Sequence, residues 1–252
     1  MKVAITQPNF LPWIGYFDLL DTVDLWVCLD DVQLTKRSFV VRNRVVDKTG
    51  KPSWLSLNVA KQYHRKNINE TFIHVDSKWK NSIVNKLCAY YRKARYFSQY
   101  SDGLFNLLPE GEFLLSKYNT QIIKSICQIL GIKIEVIYSS ELNLPPHHSP
   151  QDKILSTAKL VGAKSYYNFR NGVLSGLYAP YQFKEQEIKF YMQDYQHPKY
   201  TQFKDSANFH SFASIIDLLF HEGPSSLAFL KQGRKWLDIS DCTSIESLPS
   251  YI

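Results

Sequence analysis

Five polar side chains near the start of the chain have the types and spacing for ligand chemistry: Gln7, Asp31, Gln33, Arg42 and Asn43. A carboxylate accepts hydrogen bonds while an amide both donates and accepts, so Asp31 and Gln33 suit the hydroxyls or amine of a sugar. Arg42 follows Lys36 and Arg37 and precedes Arg44, and guanidinium groups recognise phosphate through two parallel hydrogen bonds. Asp30 and Asp31 would also suit Mg²⁺, but no third carboxylate stands nearby, so no metal is expected. His147 and His148 lie in a proline-rich loop. Adjacent histidines in an extended chain face opposite ways, which argues against a shared metal, while either imidazole titrates near neutral pH and suits a general base. Asp217 and His221 stand at i and i+4 on one helix face, a spacing that permits a hydrogen-bonded pair, more often a structural contact than a catalytic dyad.

Local patterns say which elements carry these groups. An apolar run, KVAIT, leads into the loop Gln7-Pro8-Asn9-Phe10-Leu11-Pro12, then a helical FDLLDTVD, a second apolar run LWVCLD, and the polar loop from Asp31 onward. Strand, loop, helix and strand in that order predict an α/β unit. The loops leaving the carboxyl ends of neighbouring parallel strands share one crevice. Gln7, Asp31, Gln33, Arg42 and Tyr167 are therefore expected to line one cleft, with Asn168 beside them. Pro8 and Pro12 stiffen the first loop, and Gly15 permits a close backbone approach. Trp13 and Tyr16 can serve as ligand contacts or as packing residues of a tight turn. Alternation in FVVRNR puts Arg42 and Arg44 on one face and Asn43 on the other.

Farther along, residues 54–59 and 71–75 read as strands that could extend the same sheet, and 78–97 as a helix capped by Asp76-Ser77. A second helix is expected over 114–130, closed by Gly131, followed by a strand at 132–138 and a helix at 151–160. Strands ending near Asn168 and Met192, and an amphipathic helix at 212–220 closed by Gly223-Pro224, complete the pattern. Alternating strands and helices predict a mostly parallel sheet flanked by helices. One α/β domain over 1–225 is expected, with a helical lobe at about 77–131 and an uninformative tail at 226–252. No P-loop, G-x-S-x-G, G-x-G-x-x-G or zinc spacing occurs.

With 44% hydrophobic and 14% aromatic residues, the 252-residue chain can bury a substantial core and is not a disordered one. Its net charge of +7 is unevenly distributed: residues 36–95 hold fifteen Lys and Arg against Asp47, Glu70 and Asp76, a local charge of +12. Such a block suits a polyanion, whether nucleotide, sugar diphosphate, lipid diphosphate or RNA, or it is a solvated basic face. The four cysteines are scattered, and Cys28, Cys88 and Cys127 fall in apolar stretches that predict buried thiols. No leader segment and no membrane-length apolar run is visible, so a cytoplasmic protein is expected.

The strand followed by Trp13-Ile14-Gly15-Tyr16 resembles the nucleotidyltransferase class of Rossmann-like folds, in which a His-x-Gly-His loop contacts nucleotide phosphates; here both histidines are replaced. A more extensive resemblance is carried by Gln7-Pro8-x-Phe10-Leu11-Pro12-Trp13-x-Gly15-Tyr16-Phe17, Asp31-Val32-Gln33, Arg42-Asn43, Trp54-Leu55, Tyr167-Asn168 with Gly172, and Ser214 through Phe220 with Gly223. Together these resemble the WbqC-like family over about residues 1–225. The resemblance implies a role in bacterial surface polysaccharide and O-antigen biosynthesis, in company with amino-sugar synthesis. Charge and resemblance together point to a transferase that attaches an acyl or aminoacyl group, such as glycine, to the amine of a nucleotide-linked amino sugar. The donor would be an aminoacyl-tRNA or an ATP-activated acyl group. A glycosyltransferase or other sugar-diphosphate enzyme, and a non-catalytic nucleic-acid or assembly-binding module, remain the alternatives.

Overall fold

The computed structural model describes residues 1–63, 65–202 and 209–243. The chain opens with β1 (Lys2–Thr6), α1 (Ile14–Thr22) and β2 (Leu25–Cys28), then forms β3 (Arg42–Val46), β4 (Pro52–Ser56) and β5 (Phe72–Val75). A helical lobe follows with α2 (Ser77–Tyr91), α3 (Phe97–Asn106), the short strand β6 (Gly111–Leu114) and α4 (Leu115–Leu130). The second half runs β7 (Glu135–Tyr138), α5 (Pro150–Leu160), β8 (Ser165–Phe169), α6 (Arg170–Leu174), α7 (Pro180–Lys184), β9 (Lys189–Gln193), α8 (Ile215–Glu222), α9 (Ser226–Gln232) and β10 (Trp236–Asp238).

Six strands form the central sheet in the order β10-β9-β8-β1-β2-β7. All pairs are parallel except β9 with β10. The apolar runs of β1 and β2 are buried on both faces, as central parallel strands must be. Period-two alternation divides them: Trp26 and Cys28 enter the core shared with the helical lobe, while Val3, Ile5, Leu25 and Val27 pack against Ile154 and Ala158 of α5 on the other face. From β1 the chain moves outward to β2 and β7, and α5 then carries it back across to β8, on the far side of β1. Strand order therefore reverses between β1 and β8, and the carboxyl ends of the strands open along that edge.

Residues 54–59 and 71–75 do not extend this sheet, contrary to expectation. β3 pairs with β4, and β5 with β6, as separate antiparallel ribbons. The reason lies in their alternation: Asn43, Val45 and Leu55 point inward while Arg42, Arg44 and Trp54 point out, a pattern a sheet wetted on one face tolerates and a central parallel strand does not. The helix expected to reach residue 97 stops at Tyr91, and a turn leads into α3. There Tyr96 N–H donates to Phe220 O at 3.0 Å, and its ring lies where a Cβ on Gly223 would be 2.4 Å away. Cys28 and Cys127 are buried as expected, whereas Cys88 is half-buried.

Residues 226–238, uninformative as sequence, complete the edge of the domain. β10 pairs with β9, and Arg234 Nε reaches Asp18 Oδ1 at 2.6 Å beneath α1. Residues 244–252 of the expected tail lie outside the described residues.

The proline loop between β1 and α1 is tied down by side chains from distant elements. Asn43 Nδ2 donates to Phe10 O (3.1 Å) and Leu11 O (2.9 Å), Asn119 Nδ2 to Pro8 O (2.9 Å) and Val40 O (2.7 Å), and Ile215 N–H to Pro12 O (2.7 Å). Replacing Asn43 with Ala leaves two buried carbonyls unpaired, each costing about 1–3 kcal/mol. We expect Asn43→Ala to lower the unfolding free energy by roughly 2–5 kcal/mol in urea titration, and a loss below about 0.5 kcal/mol would show that the loop holds its shape without the clamp.

Candidate functional site

At the carboxyl edge, the loops leaving β2 and β7 meet around two carboxylates. Asp30 is buried, and its oxygens accept from Ser140 N–H (3.1 Å) and Ser140 Oγ (3.0 Å). Burial raises its pKa above the usual carboxylate range, opposed by the Ser140 hydrogen bonds and reinforced by the Asp31 charge. Ser139 Oγ sits between the two acids, donating to Asp31 Oδ1 while accepting from Asp30 N–H at 3.1 Å. The second Asp31 oxygen meets Lys153 Nζ at 2.6 Å, and the same ammonium donates to Asp31 O at 2.9 Å. Lys153 comes from the buried stripe of α5, beside Ile154, Thr157 and Ala158. α5 is held at its start by Ser149 Oγ, which accepts from Asp152 N–H at 3.1 Å, with Pro150 in the first turn. The result is a water-poor ion pair flanked by two serine hydroxyls.

The basic loop beyond it encloses a cavity of about 480 Å³ lined by Gln33, Lys36, Arg37 and Arg65 over a floor that includes Leu34 and Val59. Gln33 Nε2 donates to Arg65 O at 3.1 Å, and an isolated bridge joins Gln33 to Asn67, so the two walls are tied together. Three cations and a side-chain amide around a partly apolar floor suit a ligand that is anionic at one end and hydroxylated or heterocyclic elsewhere.

Of the residues expected to converge, Gln7, Asp31 and Gln33 stand at the ends of adjacent strands on this edge, with Gln7 half-buried. Lys36 lines the cavity itself. Arg42 begins β3 on the neighbouring ribbon, its Nε donating to Arg37 O at 2.9 Å. The others have structural surroundings. Tyr167 pairs with Ala4 in mid-strand and stacks on Tyr191 at 4.8 Å, away from the strand ends. Asn168 is buried, and its Oδ1 accepts from Phe169 N–H at 2.8 Å. Asn43 is the inward-facing clamp of the proline loop. Tyr16 is fully buried and donates to Gln7 O at 2.9 Å, with burial holding its phenol protonated far above the ordinary range. Trp13 packs among Phe169, Tyr195 and Phe212, and its ring is what Gly15 admits: a Cβ there would lie 2.1 Å from it.

The expected Asp217/His221 pair forms differently from a catalytic dyad. Asp217 is fully buried and accepts from Tyr91 (2.7 Å), Tyr200 (2.6 Å) and Gln202 (2.7 Å), while His221 Nδ1 donates to the Asp217 backbone carbonyl at 2.8 Å. Burial and the Asp217 charge push both tyrosines well above their ordinary pKa. This network ties α8 to α2. His147 and His148 are exposed on the loop between β7 and α5, which leaves the sheet at the same edge as Asp31. Lys153, Ser139, Ser140 and Arg65 were not singled out from the sequence. Only Lys153 left a signal, as a lysine inside an apolar helical stripe.

The WbqC-like protein family model matches residues 7–229, and the chain belongs to that family. It is also 30% identical over 239 residues to a protein of Mycobacterium tuberculosis (strain ATCC 25618 / H37Rv) named "Uncharacterized protein Rv1507c", a match spanning 93% of this chain and 99% of that one. No solved structure matches. Among the described residues no helix is long and apolar enough to cross a membrane.

The Asp31–Lys153 pair makes a quantitative expectation. Removing either partner strands a poorly hydrated charge, so Asp31→Asn and Lys153→Met should each destabilise the fold, and the double variant should lose less than the sum. A double-mutant cycle by urea unfolding at pH 7 should return a coupling of about 1–3 kcal/mol, and strict additivity would mean the pair is solvent-screened.

Proposed function

We propose that this protein is a transferase of bacterial surface polysaccharide biosynthesis that attaches an acyl or aminoacyl group, such as glycine, to the amine of a nucleotide-linked amino sugar. The observation that carries the reading is the cavity lined by Lys36, Arg37, Arg65 and Gln33, next to the Asp31 carboxylate at the edge of the parallel sheet. Counted from β1 outward, the strand order also fits a Rossmann-like, nucleotidyltransferase-type sheet, whose ligands lie at this edge. The polysaccharide setting comes from the family resemblance.

In this reading the three cations hold the diphosphate, and Gln33 with the Asp31–Ser139 group orients the sugar hydroxyls. The sugar's amine must shed a proton to attack an acyl carbon. An imidazole of the His147–His148 loop takes it as the C–N bond forms, and the donor's oxygen leaves with its electron pair and is protonated. Lys153 holds Asp31 in place, its ammonium bound to both the Asp31 carboxylate and the Asp31 carbonyl.

Thermal melting against a nucleotide-sugar panel tests this. A UDP- or dTDP-linked amino sugar at about a hundred times its Kd should raise Tm by roughly 5–10 °C, and the free amino sugar far less. Lys36→Ala and Arg65→Ala should abolish the shift without lowering the unliganded Tm. If no nucleotide sugar stabilises the protein, the reading fails.

A further inference from the structure

The basic block of the sequence is not neutralised by the fold. Every ion pair among the described residues takes its cation from residue 117 onward, and none of the fifteen Lys and Arg in 36–95 takes part in one. The three acids of the block are engaged otherwise. Asp47 closes the β3–β4 turn by accepting from Thr49 and Lys51, Glu70 accepts from Asn67 N–H, and Asp76 caps α2 through Trp79 N–H. The field of these cations is left to solvent.

The outward face of the β3–β4 ribbon concentrates that field around exposed rings. Trp54 is 39% exposed and Phe39 48%, with centroids 6.3 Å apart. The Arg42 guanidinium lies 4.1 Å from the Trp54 ring centroid and that of Arg44, directly across the ladder, 5.7 Å. Arg42 donates its Nε to Arg37 O, and among the described residues no acceptor holds its two terminal nitrogens. Arg44 Nε is buried with no acceptor among the described residues. Lys86 Nζ approaches the same face from α2, donating to Trp54 O at 3.0 Å. At one end the ribbon adjoins the cavity with Lys36, Arg37 and Arg65; toward the other lies a second cavity, of about 790 Å³, where Lys48, Arg92, Lys93 and Arg95 outnumber the single acid Glu222.

We propose that this face binds single-stranded RNA, with Trp54 and Phe39 stacking on bases and Arg42, Arg44 and the flanking cations following the phosphates. A cationic track with solvent-facing rings is the arrangement that suits single strands, because every base has a stackable face and the backbone a regular charge. RNA is the polyanion that presents unstacked bases in loops and ends, while in a duplex they are unavailable to rings on a protein surface. The proposal does not rest on the nucleotide-sugar reading: Lys36, Arg37 and Arg65 border both sites, but the stacking rings with Arg42 and Arg44 lie on the ribbon's outward face, and a failure to bind sugar nucleotides leaves it standing.

Fluorescence anisotropy of the full chain with a labelled 12-nucleotide single-stranded RNA tests it, beside the same RNA as a duplex and heparin as a competitor. Single-stranded RNA should bind more tightly than duplex, with a log–log salt slope of about −2 or steeper, corresponding to three or more phosphate contacts. Trp54→Ala should weaken binding about tenfold or more and Trp54→Phe restore most of it. Arg44→Glu should weaken binding and flatten the slope by about 0.7. Each variant is first shown to melt as the parent does; should Trp54→Ala melt early, Phe39→Ala takes its place. Absence of RNA binding at 50 mM salt overturns the proposal. Equal affinity for duplex, with no effect of either ring substitution, does so too and leaves only a generic basic face.

Discussion

The structure depends on how the proline loop after β1 satisfies its backbone. Buried carbonyls need donors, and a loop with prolines at 8 and 12 has two fewer N–H groups of its own to trade. The donors come from elsewhere: the Tyr16 hydroxyl for Gln7 O, Asn119 for Pro8 O, Asn43 for Phe10 O and Leu11 O, and the α8 backbone for Pro12 O. Leu11 has a positive φ of 44°, an uncommon conformation for a residue with a side chain, and the Asn43 amide spans it. One loop thereby joins the sheet to the β3–β4 ribbon, the helical lobe and α8. The shape of the carboxyl edge follows from these ties.

That dependence explains what was legible in the sequence. Period-two alternation in FVVRNR placed Arg42 and Arg44 outward and Asn43 inward, and the apolar runs of β1 and β2 marked central strands, because both signals are local. The clamping role of Asn43 was not legible. An amide that could contact a ligand and an amide that clamps a distant carbonyl look alike until the fold brings the carbonyl to it. Tyr16, Asp217 and Tyr167 share this ambiguity: each is a polar or aromatic side chain beside a predicted loop, and each faces inward for reasons set by other elements. Residues 54–59 and 71–75 could equally extend the main sheet by pattern alone, because alternation reports which face is buried, not what buries it.

Two kinds of charge coexist in this molecule. Asp18 and Asp31 are partly or fully withdrawn from water and meet Arg234 and Lys153 at 2.6 Å each. Such pairs are strongly coupled to the fold, since losing one member leaves the other poorly solvated. The cations of 36–95 have no such partners among the described residues and contribute mutual repulsion instead. Repulsion of this sort destabilises the isolated fold, and an anion that binds there relieves it.

The cavity and the ribbon face are linked through one short segment. Arg37 lines the cavity, and its carbonyl receives Arg42 Nε, whose guanidinium lies against Trp54. Arg37 also has a positive φ of 61°, so this turn is held in a conformation that side chains disfavour. An anion drawing the Arg37 side chain into the cavity acts on the same backbone unit that aims Arg42 outward. Were anions bound at both, like charge would oppose joint binding while ordering of the shared turn by either would favour the other, and the balance of these terms would set the sign of the coupling.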